Sequence, residues 1–172
     1  MRDLREGDVD FVIGYFGPNE TLSEDLASVV IGEDELIPVC KPSADGEPLF
    51  AFDRPGVEMP YLRFGDAAPI NAHLEPVLRE QNLKANLRTV YENSMAGALR
   101  IRARAGDGVA WLPKSLVKPD FESGQLVRTG EPFWKADLQI RLFRNPNRTN
   151  RLTRSIWSFL EVREGVPLLV EE

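Results

Sequence analysis

The segment Glu92-Asn93-Ser94-Met95 brings a carboxylate, an amide, a hydroxyl and a thioether to the point where an alternating run gives way to a helical pattern. The first backbone N–H groups of a helix have no intrahelical acceptor, so they can meet an anion or a polar ligand. Ser94 can cap that helix or share its hydroxyl with a ligand, and the spacing leaves both open. Met95 either packs on the helix face as a gap-filler or offers an oxidisable sulfur. Tyr15, Phe64 and Trp111 stand at the ends of apolar runs and can wall a ligand or pack in a core. Several chemistries are excluded. His73 is the only histidine, so a Ser-His-Asp triad has to use it and a multi-histidine metal site cannot form. Its mid-helix position beside Leu74 reads as an ordinary surface residue. Cys40 is the only cysteine, which rules out an internal disulfide and reads as a small buried hydrophobe. The chain has no GxSxG, Walker A, CxxC or HExxH pattern, so no metal, no cofactor and no catalytic residue is expected. Gly106-Asp107-Gly108 leads into a strand instead of opening a helix, so it is not a dinucleotide fingerprint.

The elements that must position these residues follow from periodicity. Residues 1–6 read as a helix end with Gly7 at its stop. Val9–Ile13 reads as a buried strand that turns at Gly14. Two further apolar runs follow, Ser28–Ile31 and Glu35–Cys40. Pro38 cannot donate to a ladder and places the second at an edge or a lobe crossing. Residues 42–60 are rich in proline and glycine and read as loop. Tyr61–Phe64 is a short strand. Asp66 caps the next helix, whose apolar face is Ile70, Leu74, Val77 and Leu78 and whose Pro76 should kink it. Asn86–Tyr91 alternates. Ser94 opens a helix to Ala105 with Met95, Leu99 and Ala103 on one side. Val109–Leu112, Leu126–Arg128 and Asp137–Phe143 are strands. Leu152, Ile156, Phe159 and Leu160 give the last helix its buried face. Strands alternating with helices predict an α/β fold with a mostly parallel sheet.

The chain has 172 residues, 42% hydrophobic and 28% charged, which fits a folded domain and argues against disorder. Charge is uneven. Residues 1–83 carry 6 basic and 17 acidic side chains, net −11, and residues 84–172 carry 15 and 10, net +5. Arg141, Arg144, Arg148, Arg151 and Arg154 are interleaved with apolar residues and read as solvated faces, not as a nucleic-acid footprint. No run is long and apolar enough for a membrane helix, and the first ten residues lack a leader's apolar stretch, so a cytoplasmic location is expected.

In that setting Leu4–Ile13 resembles the "L-x-x-G-x-x-D-strand" segment of the effector-binding domain of LysR-type transcriptional regulators. Ser94-Met95 followed by Gly106–Pro113 looks like that family's helix, G-x-G, strand and L-P segment, and Ser123–Val127 is similar to its "x-G-x-L-V" turn. Leu36–Cys40, Gly46–Phe50, Glu92–Met95 and Val109–Pro113 look most like the hypochlorite-responsive branch, and Met95 falls on one of its methionine positions. The resemblance implies a periplasmic-binding-protein type II-like fold of two Rossmann-like lobes with an effector cleft. Lobe one is expected over 1–40 and 135–172, and lobe two over 41–134. It also implies a small-molecule effector or oxidant, contacted by Tyr15, Phe64, Asn93, Ser94, Met95 and Trp111. DNA would be bound only through a helix-turn-helix that this chain does not contain, as a homodimer or tetramer, with no membrane partner. The family's first strand, first helix and second strand of lobe one have no counterpart here, so that lobe is expected to be incomplete at the N-terminus, as in a fragment or a late start. A periplasmic-type solute-binding protein and, further off, an enzyme on the same fold are the alternatives.

Overall fold

The computed structural model describes residues 1–18, 20–52, 57–148 and 150–161. Residues 53–56 of the expected loop and 162–172 of the expected first lobe lie outside the described residues. Two compact units form: unit 1 is Met1–Asp34 with the chain from Leu138 onward, and unit 2 is Glu35–Asp137.

Unit 1 starts with α1 (Arg2–Glu6), which ends at Gly7 in the left-handed region, φ 88°. A Cβ is disfavoured there, so the stop read from the sequence is a conformational necessity. β1 (Val12–Phe16) pairs antiparallel with β7 (Ala136–Arg144), Val12 opposite Phe143 and Phe16 opposite Gln139. The strand thus begins three residues later than its apolar run, and Gly14 lies inside it instead of turning it. β2 (Ala27–Cys40) lies on the other side of β7. The two apolar runs around Gly32 are therefore one long strand. Neighbouring β7 residues point to opposite sheet faces. Leu142 packs with Val29, Trp157 and Leu160. Phe143 packs with Leu4 and Leu26, and its ring centroid is 4.8 Å from that of Phe16. Trp157 and Leu160 come from α5 (Arg151–Glu161), whose start is closed reciprocally. Thr153 N–H donates to Asn150 Oδ1 and Asn150 N–H donates to Thr153 Oγ1, both at 2.9 Å. The buried face of α5 is Thr153, Trp157 and Leu160. Leu152, Ile156 and Phe159 are exposed, so the expected face is corrected by about a third of a turn. The arginines are not merely solvated: Arg144 stacks over Trp157 at 4.5 Å, and Arg141 donates to Ser28 and Gln139.

In unit 2 the second half of β2 pairs antiparallel with β5 (Ala110–Pro113) and β6 (Val127–Arg128). Pro38 is opposite Trp111, and its carbonyl accepts from Thr129 N–H at 3.0 Å. The strand does pass between units, but ahead of the proline, at Asp34–Glu35. β3 (Met59–Phe64) and β4 (Leu87–Asn93) are parallel, and Tyr61 bridges Val109 in parallel. The larger sheet's described pairings are antiparallel, so the expectation of a mostly parallel sheet holds only at β3, β4 and Val109. Gly108 is required there because a Cβ would stand 2.4 Å from the Pro60 carbonyl oxygen. α2 (Asn71–Glu80) starts past Asp66 and contains Pro76. A 3₁₀ turn over Leu83–Asn86 leads into β4. α3 (Ala96–Ala105) packs Leu99 and Ala103 inward and ends at Gly106, φ 90°. α4 (Lys114–Glu122), absent from the sequence reading, buries Val117 and Asp120. Asp120 accepts from Arg100 at 2.6 and 3.1 Å and lies 3.5 Å from Arg104.

Candidate functional site

Parallel strands emit their carboxyl ends on the same edge, and loops there collect ligand contacts. Here Phe64 is opposite Asn93, so β3 and β4 end side by side in unit 2. The chains stay joined one step further, since Gly65 N–H donates to the Asn93 carbonyl at 3.2 Å. Asn71 of α2 donates its side-chain amide to the Gly65 carbonyl at 2.7 Å. A Cβ on Gly65 would lie 2.7 Å from Ser94 Oγ. A side chain at position 65 would make the Ser94 hydroxyl turn away from the β3 exit.

The start of α3 is organised by Asn93 and not by Ser94. Met95 is the N-cap residue and makes no side-chain cap. Asn93 Oδ1 accepts from Met95 N–H at 2.9 Å, and its amide donates to the Tyr91 hydroxyl at 3.2 Å. Capping by Ser94 is thereby corrected: a two-residue Asx turn does the work one position earlier. Ser94 is exposed, and its hydroxyl takes part in no hydrogen bond among the described residues. Beyond it, the first N–H groups of α3 have no acceptor within the helix.

The arginine of β3 is already committed. Arg63 pairs with Asp66 and, at 2.8 Å, with Glu92. The Asp66 hydrogen bond, with Glu92 adding to it, raises the guanidinium's pKa, so Arg63 stays charged and neutralised. The strand ends therefore offer amide, hydroxyl and backbone donors, and the arginine of β3 is neutralised by its two carboxylates. That suits a polar, hydrogen-bonding ligand better than a strongly anionic one.

The structure brings Asn93, Ser94 and Met95 together and places Phe64 directly beneath them, 2% exposed. Trp111 is buried in unit 2's own core. Its Nε1 donates to the Trp134 carbonyl at 3.1 Å, and its ring meets Tyr61 edge-on at 5.8 Å. Phe64 and Trp111 are thus core residues of unit 2, Phe64 at the end of β3 and Trp111 against Tyr61 within it. Tyr15 belongs to unit 1, half-buried on β1 opposite Ile140. Met95 is 71% exposed, which corrects its core-packing alternative. Cys40 is fully buried with Sγ 4.0 Å from the Phe50 carbonyl, and burial pushes its thiol pKa up, so it is an unreactive core residue. Gly65, Arg63 and Asn71 were missed by sequence reasoning; the signal for the first two was a strand ending in Arg-Phe-Gly-Asp.

Comparisons with known proteins identify the family and the fold. The profile of the family described as "LysR substrate binding domain" matches residues 1–163. The HTH domain-truncated transcriptional regulator QseD of Escherichia coli O157:H7 is 27% identical over 161 residues, 94% of this chain and 64% of the relative. The HTH-type transcriptional regulator YjiE of Escherichia coli K12 is 27% identical over 161 residues, 94% of this chain and 51% of the relative. The chain thus spans between half and two-thirds of the curated relatives it matches. Among solved structures, the apo regulatory domain of HypT from Salmonella typhimurium is similar with TM-score 0.82 and 22% identity, covering 95% of this chain and 77% of that one. DarR of Vibrio fischeri in complex with DNA is similar with TM-score 0.77 and 24% identity, covering 92% and 52%. At that identity the structures establish the fold, the periplasmic-binding-protein type II-like fold of LysR regulatory domains.

Proposed function

Because the chain belongs to the LysR substrate-binding domain family, we propose that it is the ligand-sensing part of a transcriptional regulator, with a small polar effector bound at the carboxyl ends of β3 and β4. The observation that carries the site is the exposed Ser94 hydroxyl. It is held against Gly65 at the mouth of two parallel strands and released from capping by Asn93. Asn93, Ser94 and the first turn of α3 supply the polar contacts. Met95 flanks them, and Phe64 is buried at the end of β3. An effector acts by binding one arrangement of the regulator more tightly than another, and only that difference in affinity is transmitted. DNA contact through a helix-turn-helix outside these residues, assembly as a dimer or tetramer, and a cytoplasmic location belong to the same reading. Among the described residues, no helix is long and apolar enough to cross a membrane. The relatives matched are transcriptional regulators, which supports sensing over solute transport or catalysis.

The test is a thermal-shift and calorimetric screen of small polar metabolites, repeated with Ser94→Ala. A lost ligand hydrogen bond costs about 1 kcal/mol, so affinity should fall several-fold while the melting temperature holds. Unchanged affinity for every hit would remove Ser94 from the site.

Exposure of Met95 favours a second reading, in which the input is an oxidant. One structural relative is described as a hypochlorite-specific regulator. Met59, 6% exposed, is an internal control. Peptide mass analysis after limiting hypochlorite should find Met95 sulfoxide before Met59 sulfoxide. A response to hypochlorite that survives Met95→Leu would reject this reading.

A further inference from the structure

At the end of α3 away from Ser94, unit 2 has an open cavity of about 420 Å³. Its lining includes Lys41, just past β2, Arg104 in the last turn of α3, and Gly124 and Gln125 just past α4. α3 has ten residues, so this cavity lies about 15 Å from the strand ends. Cations are in surplus here. Arg104 faces Asp120, but Arg100 already holds that carboxylate with two hydrogen bonds. Arg104 adds only a 3.5 Å ion pair and makes no hydrogen bond among the described residues. The Lys41 ammonium and the Gln125 amide, both on exposed residues, have no partner among them either. Lys41, Arg100 and Arg104 set against Asp120 leave a charge of +2. Asp107, past the end of α3, is taken by Arg102 at 2.8 Å. Free carbonyls at two helix ends would repel an anion. Here the Arg102 and Ala103 carbonyls accept from Asp107 and Gly106 N–H, and those of Pro119 and Asp120 from Ser123, Gln125 and Leu126. The Lys41 stem lies against the end of α3, where a Cβ on Gly106 would stand 3.2 Å from its Cδ.

We propose that this cavity binds a phosphate group, carried by a small phosphate monoester or present as the free ion. The donors select the group. A guanidinium fork, an ammonium and a side-chain amide together offer more N–H donors than a carboxylate has oxygens to accept them, and a phosphate has the extra oxygens. A phosphate monoester carries nearly two negative charges at neutral pH, which matches the two left over here. The volume falls within the ~300–1,000 Å³ of small-molecule sites, so the organic part of an ester has room. A bound phosphate would tie the residue after β2 to the ends of α3 and α4. The site is separate from the strand ends, where the arginine is neutralised by its own carboxylates, and stands or falls without them.

The probes are glycerol phosphate and inorganic phosphate, titrated calorimetrically into the 172-residue chain at fixed ionic strength, with glycerol as the uncharged control. Both phosphates should saturate and glycerol should not. Tighter binding of the ester assigns the site to phosphorylated metabolites, and equal or tighter binding of inorganic phosphate assigns it to the free ion. Lys41→Met and Arg104→Met should each weaken binding by roughly tenfold or more, the weight of a charge-assisted hydrogen bond. Arg79→Met, on exposed α2 surface outside the cavity, should leave it within about twofold, because distant exposed charges are screened. Circular dichroism checks folding, and Lys41, which has no ion pair among the described residues to lose, keeps the test decisive if the Arg104 variant unfolds. No saturation by either phosphate, indifference to Lys41→Met, or an equal loss with Arg79→Met overturns the proposal. So does a loss with Ser94→Ala, which would put the phosphate at the start of α3.

Discussion

In unit 2 the carboxylate of Asp120 is 1% exposed and held by arginines, while Leu36, Val39, Leu99, Val109 and Leu112 are sealed from solvent. In unit 1 the larger apolar side chains divide into two small clusters on opposite sheet faces, and Ile13, Leu152 and Phe159 remain more than half exposed. Unit 2 is no freer of exposed apolar groups, since Met95, Ile101 and Phe133 are also more than half exposed. What differs is the core: unit 2 seals aliphatic residues together with a paired carboxylate, whereas unit 1 divides its apolar side chains between two small clusters on either side of a sheet. Apolar burial contributes about 25 cal/mol per Å², so each small cluster depends heavily on its one large side chain.

Tryptophan truncation probes this contrast with the largest effect. Trp111→Ala and Trp157→Ala should each cost about 3–5 kcal/mol, because both rings are buried and tightly packed. Phe159→Ser, 55% exposed on the same helix as Trp157, should change stability by less than about 0.5 kcal/mol. Urea unfolding followed by circular dichroism measures all three. A Phe159→Ser loss as large as that of Trp157→Ala would mean the outer face of α5 is covered in solution, and the contrast would break.

Asp120→Ala comes next. Arg100 and Arg104 are 26% and 40% exposed and can turn to water once the carboxylate is gone, so the loss is that of charge-assisted hydrogen bonds, about 2 kcal/mol. Because Asp120 ties α4 to α3, hydrogen exchange should speed up in Lys114–Glu122 and stay unchanged in α5. Faster exchange in α5 as well would mean the two units unfold as one.

These residues also mark what a sequence can tell. Gly7 and Gly106 were legible as helix stops because a left-handed φ is written in residue type. The strand pairs around the site were legible from alternation. α4 was not, since Pro119 breaks the helical pattern and only Val117 and Asp120 are buried, one of them charged. The face of α5 was misread because Thr153, polar by type, turns inward to serve Asn150, and it brings Trp157 with it. Aromatic residues at strand ends looked like ligand walls, but Phe64 and Trp111 are placed by neighbours distant in sequence. Of the site itself, Asn93-Ser94-Met95 was visible, and the division of labour between the first two was not. A hydroxyl and an amide one residue apart both satisfy the capping pattern, and only backbone geometry chooses.

Acid and alkali sharpen the comparison by smaller amounts. In unit 2 the hydrogen bond from Lys135 holds the Glu35 carboxyl below its ordinary value of 4.5, and the Glu35 hydrogen bond raises Lys135 above 10.5. A depressed carboxylate contributes stability that is present above 4.5 and lost as pH falls through its lowered pKa. A raised lysine contributes stability that is present below 10.5 and lost as pH climbs through its raised pKa. Lys135→Met should therefore flatten both limbs of the stability profile of unit 2. In unit 1 the hydrogen bond from Arg5 holds Asp25 well below the usual carboxylate range, but the pair is 45% and 53% exposed. Salt should erase most of that acid limb, because exposed charges are screened. Melting curves carried well below the ordinary carboxylate range and above 10.5, at low and high salt, with Asp25→Asn and Lys135→Met, separate the two. A salt-resistant limb that disappears with Asp25→Asn would contradict the screening argument.

The smallest expected effect decides most about the site. Asn93→Ala removes the acceptor for Met95 N–H and should cost about 1 kcal/mol, the usual worth of a helix-start hydrogen bond. Ser94→Ala removes a hydroxyl bonded to nothing among the described residues and should leave the melting temperature where it was. A residue that costs the fold nothing to lose is free to serve a ligand, which is the role proposed for Ser94 above. If calorimetry instead finds that Ser94→Ala lowers stability as much as Asn93→Ala, the hydroxyl is a cap in solution. The polar mouth of unit 2 then loses its hydroxyl as a ligand group.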